Sequence, residues 1–180
     1  LAVCYFFAFL SLQGQVLGLF GNQGILSINH LLDILDKEMK GERFFHVPSL
    51  FWFFSGNTSL RAVCFLGMVC STLAFMGFSA TWMLFFCWMF YLSFVTCGQI
   101  FLSYQWDSLL LEFGFIGLFM APWNWEWIHF QAHPLNPAIL VCCWLLLFKL
   151  MFSSGAVKFT HKDPSWRNLT AMNYHYWTQP

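Results

Sequence analysis

Long apolar blocks alternate with shorter polar stretches along this chain, and that alternation sets the expected fold. The apolar blocks run at about residues 2–20, 62–79, 83–103, 108–121 and 138–157. Between Ala62 and Tyr104 there is no Lys, Arg, Asp or Glu, a run about twice the roughly 20 residues that cross a bilayer as a helix. Two crossings must sit inside it. Only the Ala80–Thr81–Trp82 neighbourhood separates the second block from the third, so the spacing predicts a tight antiparallel hairpin. The fourth block is short, preceded by Asp107, interrupted by Glu112 and closed by Pro122. It is expected to tilt, to re-enter, or to begin inside the membrane from the end of the third. The pattern predicts an all-α fold, a polytopic transmembrane helical bundle with about five membrane segments.

The polar stretches organise the rest. Residues 21–61 form the first loop, with Lys37, Lys40, Arg43 and Arg61 set against Asp33, Asp36, Glu38 and Glu42. Within it Ile28, Leu31, Leu32 and Leu35 fall at helical spacing, which predicts a short interfacial helix over Ile28 to Lys40. Pro48 and the aromatics from Phe51 to Phe54 read as an interfacial patch ahead of the next crossing. The opening block lacks a basic start and carries Gln13 and Gln15, so it reads as a membrane helix rather than a signal peptide. Its Gly14 and Gly18 form a small-residue pair on one face, suited to close helix packing. Trp123, Trp125 and Trp127 mark the loop before the last block. Residues 1–157 are thus expected to be the transmembrane helical region, and 158–180 the start of a non-membrane segment. The chain itself reads as a fragment of something longer.

Composition agrees with this outline: of 180 residues, 59% are apolar, 22% aromatic and only 9% charged, too little charge to cover a soluble domain. The net charge is zero, which gives no support for nucleic-acid binding. Cys4, Cys64, Cys70, Cys87, Cys97, Cys142 and Cys143 all fall in apolar blocks without a C-x-x-C pair, so neither a zinc site nor a disulfide framework is indicated. Glu126, His129 and His133 approach metal-ligand spacing, but Pro134 disfavours helical geometry there and the reading is an aromatic loop. No nucleophile motif or phosphate-binding loop occurs. The expectation is no cofactor, no metal and no catalytic site.

Charges at membrane depth are costly, which makes Asp107, Glu112 and Lys149 the strongest site candidates. Asp107 and Glu112 lie about 140° apart around a helix and so do not form a same-face carboxylate pair. Lys149 is instead expected to neutralise Glu112 across two helices. The run Ser153, Ser154, Gly155 and Ala156 is expected to be a tight helix contact at Gly155. Orientation stays open, since the positive-inside rule and the two glycosylation acceptors, Asn57 and Asn168, point the shared side of loop and tail in opposite directions.

The most specific strings carry a family resemblance. Tyr104 to Glu112 (Y-Q-W-D-S-L-L-L-E), followed by Gly114, resembles the Q-W-D-S-L-L-L-E-x-G-F signature of the lipase maturation factors. Leu150 to Lys158 resembles the family's L-M-F-x-S-G-x-x-K segment, and Trp166 to Pro180 its W-x-x-L-T-x-x-x-Y-H-Y-E-T-Q segment. Phe7 to Phe9 and Gly21 to Leu26 are similar to its first helix and exit. Trp177 stands where the family usually has Glu, and Lys149 where it usually has Arg; the aromatic surroundings of the Q-W-D motif resemble the second of the two vertebrate types. The resemblance implies a multi-pass protein of the endoplasmic reticulum membrane, not an enzyme, that assists folding and assembly of secreted clients such as lipases. It also implies a large lumenal region beyond this one and a lumenal first loop and tail. The motifs add Trp106, Lys158 and His175 to the candidate residues, His175 as part of an aromatic cluster rather than a reactive group. An integral membrane enzyme and a transporter are the alternative readings.

Overall fold

A computed structural model describes residues 1–39, 43–120, 123, 127, 136–160 and 163–178, with side chains in the last helix described through Tyr174. Residues 1–139 make one compact unit and residues 140–180 a second. Among the described residues the secondary structure is helical, apart from an isolated antiparallel bridge between Phe78 and Trp127.

The first unit begins with α1, Ala2–Phe20, whose unbroken apolar sequence offers no competing side-chain hydrogen bonds until Ser11 and Gln13. It stops at Gly21. The chain beyond folds back so that Ile25 N–H donates to the Gly18 carbonyl at 3.0 Å and Leu26 N–H to that of Leu19 at 2.8 Å, satisfying carbonyls a helix end leaves orphaned. The spacing of its apolar positions then produces α2, Ile28–Met39, which buries Ile28 and Leu32 and turns Asp33, Asp36, Lys37 and Glu38 outward. A short α3, Arg43–His46, leads to a 3-10 turn, Leu50–Trp52.

Next come α4, Asn57–Phe75, and α5, Ala80–Cys97, joined as an antiparallel hairpin through a turn at Met76–Ser79. The reversal uses left-handed backbone at Gly77 (φ 85°), where glycine carries no steric cost, and at Ser79 (φ 44°). The boundaries correct the block limits read from hydropathy. Helix α4 starts at Asn57 rather than Ala62, because polar residues through Arg61 still occupy its first turns. Helix α5 ends at Cys97 rather than Ser103, since Gln99 adopts φ 48° and the chain continues as a 3-10 turn, Gln99–Leu102. An apolar run looks continuous to hydropathy whether or not its backbone is.

Then α6 spans Gln105–Gly117, 13 residues, or about 20 Å of rise against a hydrocarbon core of about 30 Å. Among the described residues four helices are long and apolar enough to cross a membrane: α1, α4, α5 and α7, Pro137–Thr160. The expected fourth segment is the short one. Beyond its end two tryptophans lie against the start of α5 and the α4–α5 turn. Trp123 packs on Trp82 (4.8 Å between ring centroids) and Phe85, and Trp127 pairs with Phe78. The chain has moved from the level of Tyr91 to the α4–α5 turn.

The core of this unit runs along α1, α4 and α5. Phe9 is fully buried and lies where a Cβ on Gly67 would come within 2.6 Å of its ring, so the missing side chain at Gly67 admits the phenylalanine. The small-residue pair expected to do this work, Gly14 and Gly18, instead faces open space; an added Cβ there meets nothing within 4 Å. The expected aromatic patch is likewise corrected at Phe51, which is 1% exposed and packs on Phe94.

In the second unit α7 is followed by α8, Pro164–Arg167, capped by Asp163 accepting from Ser165 N–H at 2.9 Å, and by α9, Ala171–Thr178. The described part of residues 163–178 is thus helical on both sides of Asn168–Thr170.

Candidate functional site: the seat of helix α6

The Q-W-D helix is held by hydrogen bonds from aromatic side chains on two other helices. Asp107, 3% exposed, accepts from the Tyr91 hydroxyl of α5 at 2.6 Å through Oδ1 and from Tyr104 N–H at 3.3 Å through Oδ2. A carboxyl group in the first turn of α6 also sits where the helix presents unsatisfied N–H groups and the positive end of its dipole. One turn on, the Tyr5 hydroxyl of α1 donates to the Leu110 carbonyl at 3.3 Å, and the Trp88 indole of α5 donates to that of Leu111 at 3.0 Å.

The two tyrosine rings among these donors form one cluster with Phe9, while Trp88 pairs with Phe115 of α6 at 5.7 Å. Tyr5 and Phe9 stack at 6.3 Å, while Tyr91 meets both edge-on at 5.9 and 5.8 Å. Gly114 completes the seat: the space its side chain would take holds the Tyr5 hydroxyl, with Trp88 Cδ1 at 3.1 Å and Tyr5 Cζ at 3.2 Å from a built Cβ. Four residues of the motif, Asp107, Leu110, Leu111 and Gly114, thus spend their polar groups or their smallness on docking one helix. With a hydrocarbon exterior offering no water to compete, such bonds orient a helix that is too short to be fixed by its ends.

The other sequence candidates lie around this seat or apart from it. Trp106 is 65% exposed and stacks on Tyr104 at 4.7 Å, turned away from the donors. Glu112 lies half-buried on α6 in the first unit, and Lys149 lies exposed on α7 in the second; the structure describes each unit by itself. Among the described residues of the second unit, an added Cβ at Gly155 meets nothing within 4 Å, and the tight helix contact expected there stays a proposal. Lys158 places its ammonium 4.8 Å from the Trp166 ring, joining the end of one family motif to the start of the next. Beside it Arg167 donates to the Phe159 carbonyl at 3.4 Å, so cations close the C-terminal end of α7. His175 falls on α9, and its side chain is outside the described residues, as are Glu126, His129 and His133.

Asn57, the first residue of α4, accepts the Asn22 N–H through Oδ1 at 2.9 Å and ties the start of α4 to the end of α1. Asn168 is exposed at the end of α8. The seven cysteines are free thiols; Cys87 bonds the Gly67 carbonyl at 3.6 Å and Cys97 the Ser49 hydroxyl at 3.3 Å. Among the described residues no three His, Cys, Asp or Glu are grouped to hold a metal ion.

Tyr5, Trp88 and Tyr91 were absorbed into the apolar blocks by the sequence reading. Their signal was present: a hydroxyl or indole N–H inside a membrane span needs a partner, and each finds one on α6.

Helices of spanning length, packed through glycine notches and aromatic donors, define this as a multi-pass helical membrane domain. A family model described as the lipase maturation factor transmembrane domain matches residues 1–180, and the chain belongs to that family. It is 40% identical to lipase maturation factor 2 of Xenopus laevis over 97% of its length and 35% identical to the Homo sapiens protein over 99%. It is 32% identical to lipase maturation factor 1 of Bos taurus over 100% of its length. The chain spans about a quarter of the length of the type 2 relatives, 26% of the Xenopus laevis protein. No solved structure matches.

Proposed function

We propose that this chain is the membrane domain through which an endoplasmic reticulum protein assists the folding, assembly or maturation of secreted proteins such as lipases. The relatives' name supplies the client class. The observation that carries the reading is the α6 seat: Asp107 is committed to Tyr91 and Tyr104, and the motif's polar groups hold a helix in place. A scaffold needs that, while a membrane enzyme or a transporter needs polar groups left facing a cavity.

In this reading the first loop and the tail share the lumenal side. The reading counts the stretch from α6 to Trp127 as one passage, which the bridge from Trp127 to Phe78 at the α4–α5 turn supports, and α7 as the next. Glu112 and Lys149 remain a proposed pair, tested by exchanging their charges and asking whether the double exchange restores folded yield lost in either single one.

The experiment is capture of a partly folded secretory lipase by full-length protein solubilised from endoplasmic reticulum membranes. Recovery of the immature client, with its secretion reduced when the protein is depleted, is the expected result. Turnover of a lipid or peptide substrate by the purified protein, without client capture, would replace this reading with an enzymatic one.

A further inference from the structure

We infer that the segment Arg43–Phe54 is an aromatic finger that inserts into the lipid leaflet on the first-loop side and fastens that loop flat to the membrane. Phe44, Phe45, Phe53 and Phe54 are 42, 91, 66 and 64% exposed; Phe44 stacks on Phe53 at 5.8 Å and Phe53 lies 6.3 Å from Phe54, so three of the rings stand together, with Phe45 next to Phe44 in the chain. An exposed aromatic cluster of this size marks an interaction surface.

Its position names the occupant. Helices α1, α4 and α5 contain 19, 19 and 18 residues, about 27–29 Å each, barely the thickness of a hydrocarbon core. Their ends therefore lie at the bilayer boundary, and the finger is pinned to those ends. Ser49 donates to the Ser93 carbonyl at 3.3 Å, and Leu50 N–H to the Ser93 hydroxyl at 3.0 Å, one turn before α5 stops. Thr96 bonds the Pro48 carbonyl at 3.4 Å, and α4 begins three residues after Phe54. The rings are thus held where Phe and Trp partition favourably into the headgroup and acyl boundary.

The finger also carries no unbalanced charge from its one cation. Arg43 is ion-paired with Asp36 of α2, and its guanidinium lies 5.0 Å from the Phe44 ring and 5.2 Å from that of Trp52. Insertion is then driven by apolar area and is indifferent to anionic lipid, unlike the binding of a polybasic segment.

The test places a small fluorescent amino acid at Phe45, and in a separate protein at Glu38 on the exposed face of α2, in the full-length protein in phosphatidylcholine nanodiscs. At 91% exposure, Phe45 tolerates the replacement without disturbing the core, and an unchanged melting temperature verifies it. Lipids spin-labelled near the top of the acyl chain should quench the probe at 45 several-fold more than the probe at 38. The difference should persist when anionic lipid is added. Quenching at 45 by aqueous iodide as efficient as at 38 would overturn the inference, as would shielding from both iodide and lipid, which would assign the finger to a protein partner. Quenching that requires anionic lipid would overturn the uncharged mode of insertion.

Discussion

Replacing Gly114 by Ala tests the seat of α6 at its tightest point. The added methyl group would occupy the place of the Tyr5 hydroxyl and lie 3.1 Å from Trp88 Cδ1. Tyr5 is fully buried and cannot swing into solvent, so either its ring retreats or α6 lifts off α1. Retreat breaks the bond to the Leu110 carbonyl, about 0.6 to 1.7 kcal/mol in a membrane setting, and disturbs ring contacts with Phe9 and Tyr91. Overpacking strain adds about 1–3 kcal/mol. The sum, about 2–5 kcal/mol, corresponds to a drop of roughly 30- to 4000-fold in the folding equilibrium, since each 1.4 kcal/mol is tenfold. In full-length protein in nanodiscs it should appear as a lowered melting temperature and a loss of folded yield. Tyr5→Phe removes the colliding oxygen and leaves Cζ at 3.2 Å, a contact that yields with a shift of a few tenths of an ångström. The double variant should therefore be more stable than the sum of the single losses predicts, as expected for residues in direct contact. A Gly114→Ala protein that melts like the parent, or a double variant that is strictly additive, would refute the seat.

The same contacts set other outcomes. Tyr91→Phe strips Asp107 of its buried side-chain donor and should cost about 1–3 kcal/mol, read as a melting shift, whereas Asp107→Ala should cost less in the Tyr91→Phe background than in the parent, because only the bond from Tyr104 N–H is then lost. Lys158→Ala and Trp166→Ala should each loosen residues 158–170 by about 0.5–1 kcal/mol, with the pair no worse than either alone, measured as protease cleavage rates within that stretch. Asn168→Gln should abolish an endoglycosidase-sensitive glycan while Asn57→Gln leaves it, because Asn57 is a helical residue at the head of a membrane-length helix and Asn168 is exposed at the end of a one-turn helix. Labelling of the tail solely from the cytosolic side would reverse the proposed sidedness, whereas a glycan lost only with Asn57 would refute the choice of acceptor and leave the sidedness standing.

The class of the protein was legible before any coordinates. Uninterrupted apolar stretches in a charge-poor chain leave helices crossing a bilayer as the expected arrangement, and the amphipathic spacing from Ile28 onward was enough to place α2. Three ordered motifs were enough to place the family. Hydropathy averages over a window, however, and does not register backbone direction. The break at Gln99 and the start of α4 at Asn57 depend on individual torsions and hydrogen bonds that apolar content conceals. Which small residues matter in the first unit emerged only from the packing of its helices: Gly67 and Gly114 admit Phe9 and Tyr5, while Gly14 and Gly18, more conspicuous as a pattern, meet nothing within 4 Å of an added Cβ. A small residue reveals its purpose through the side chain that fills the gap, and that side chain lies on another helix, far away in sequence. The same holds for Asp107, whose place is set by the Tyr91 hydroxyl 16 residues earlier. Burial in the plane of a helix can be read from periodicity, whereas the choice of partner between helices depends on which faces meet, and no local pattern encodes that.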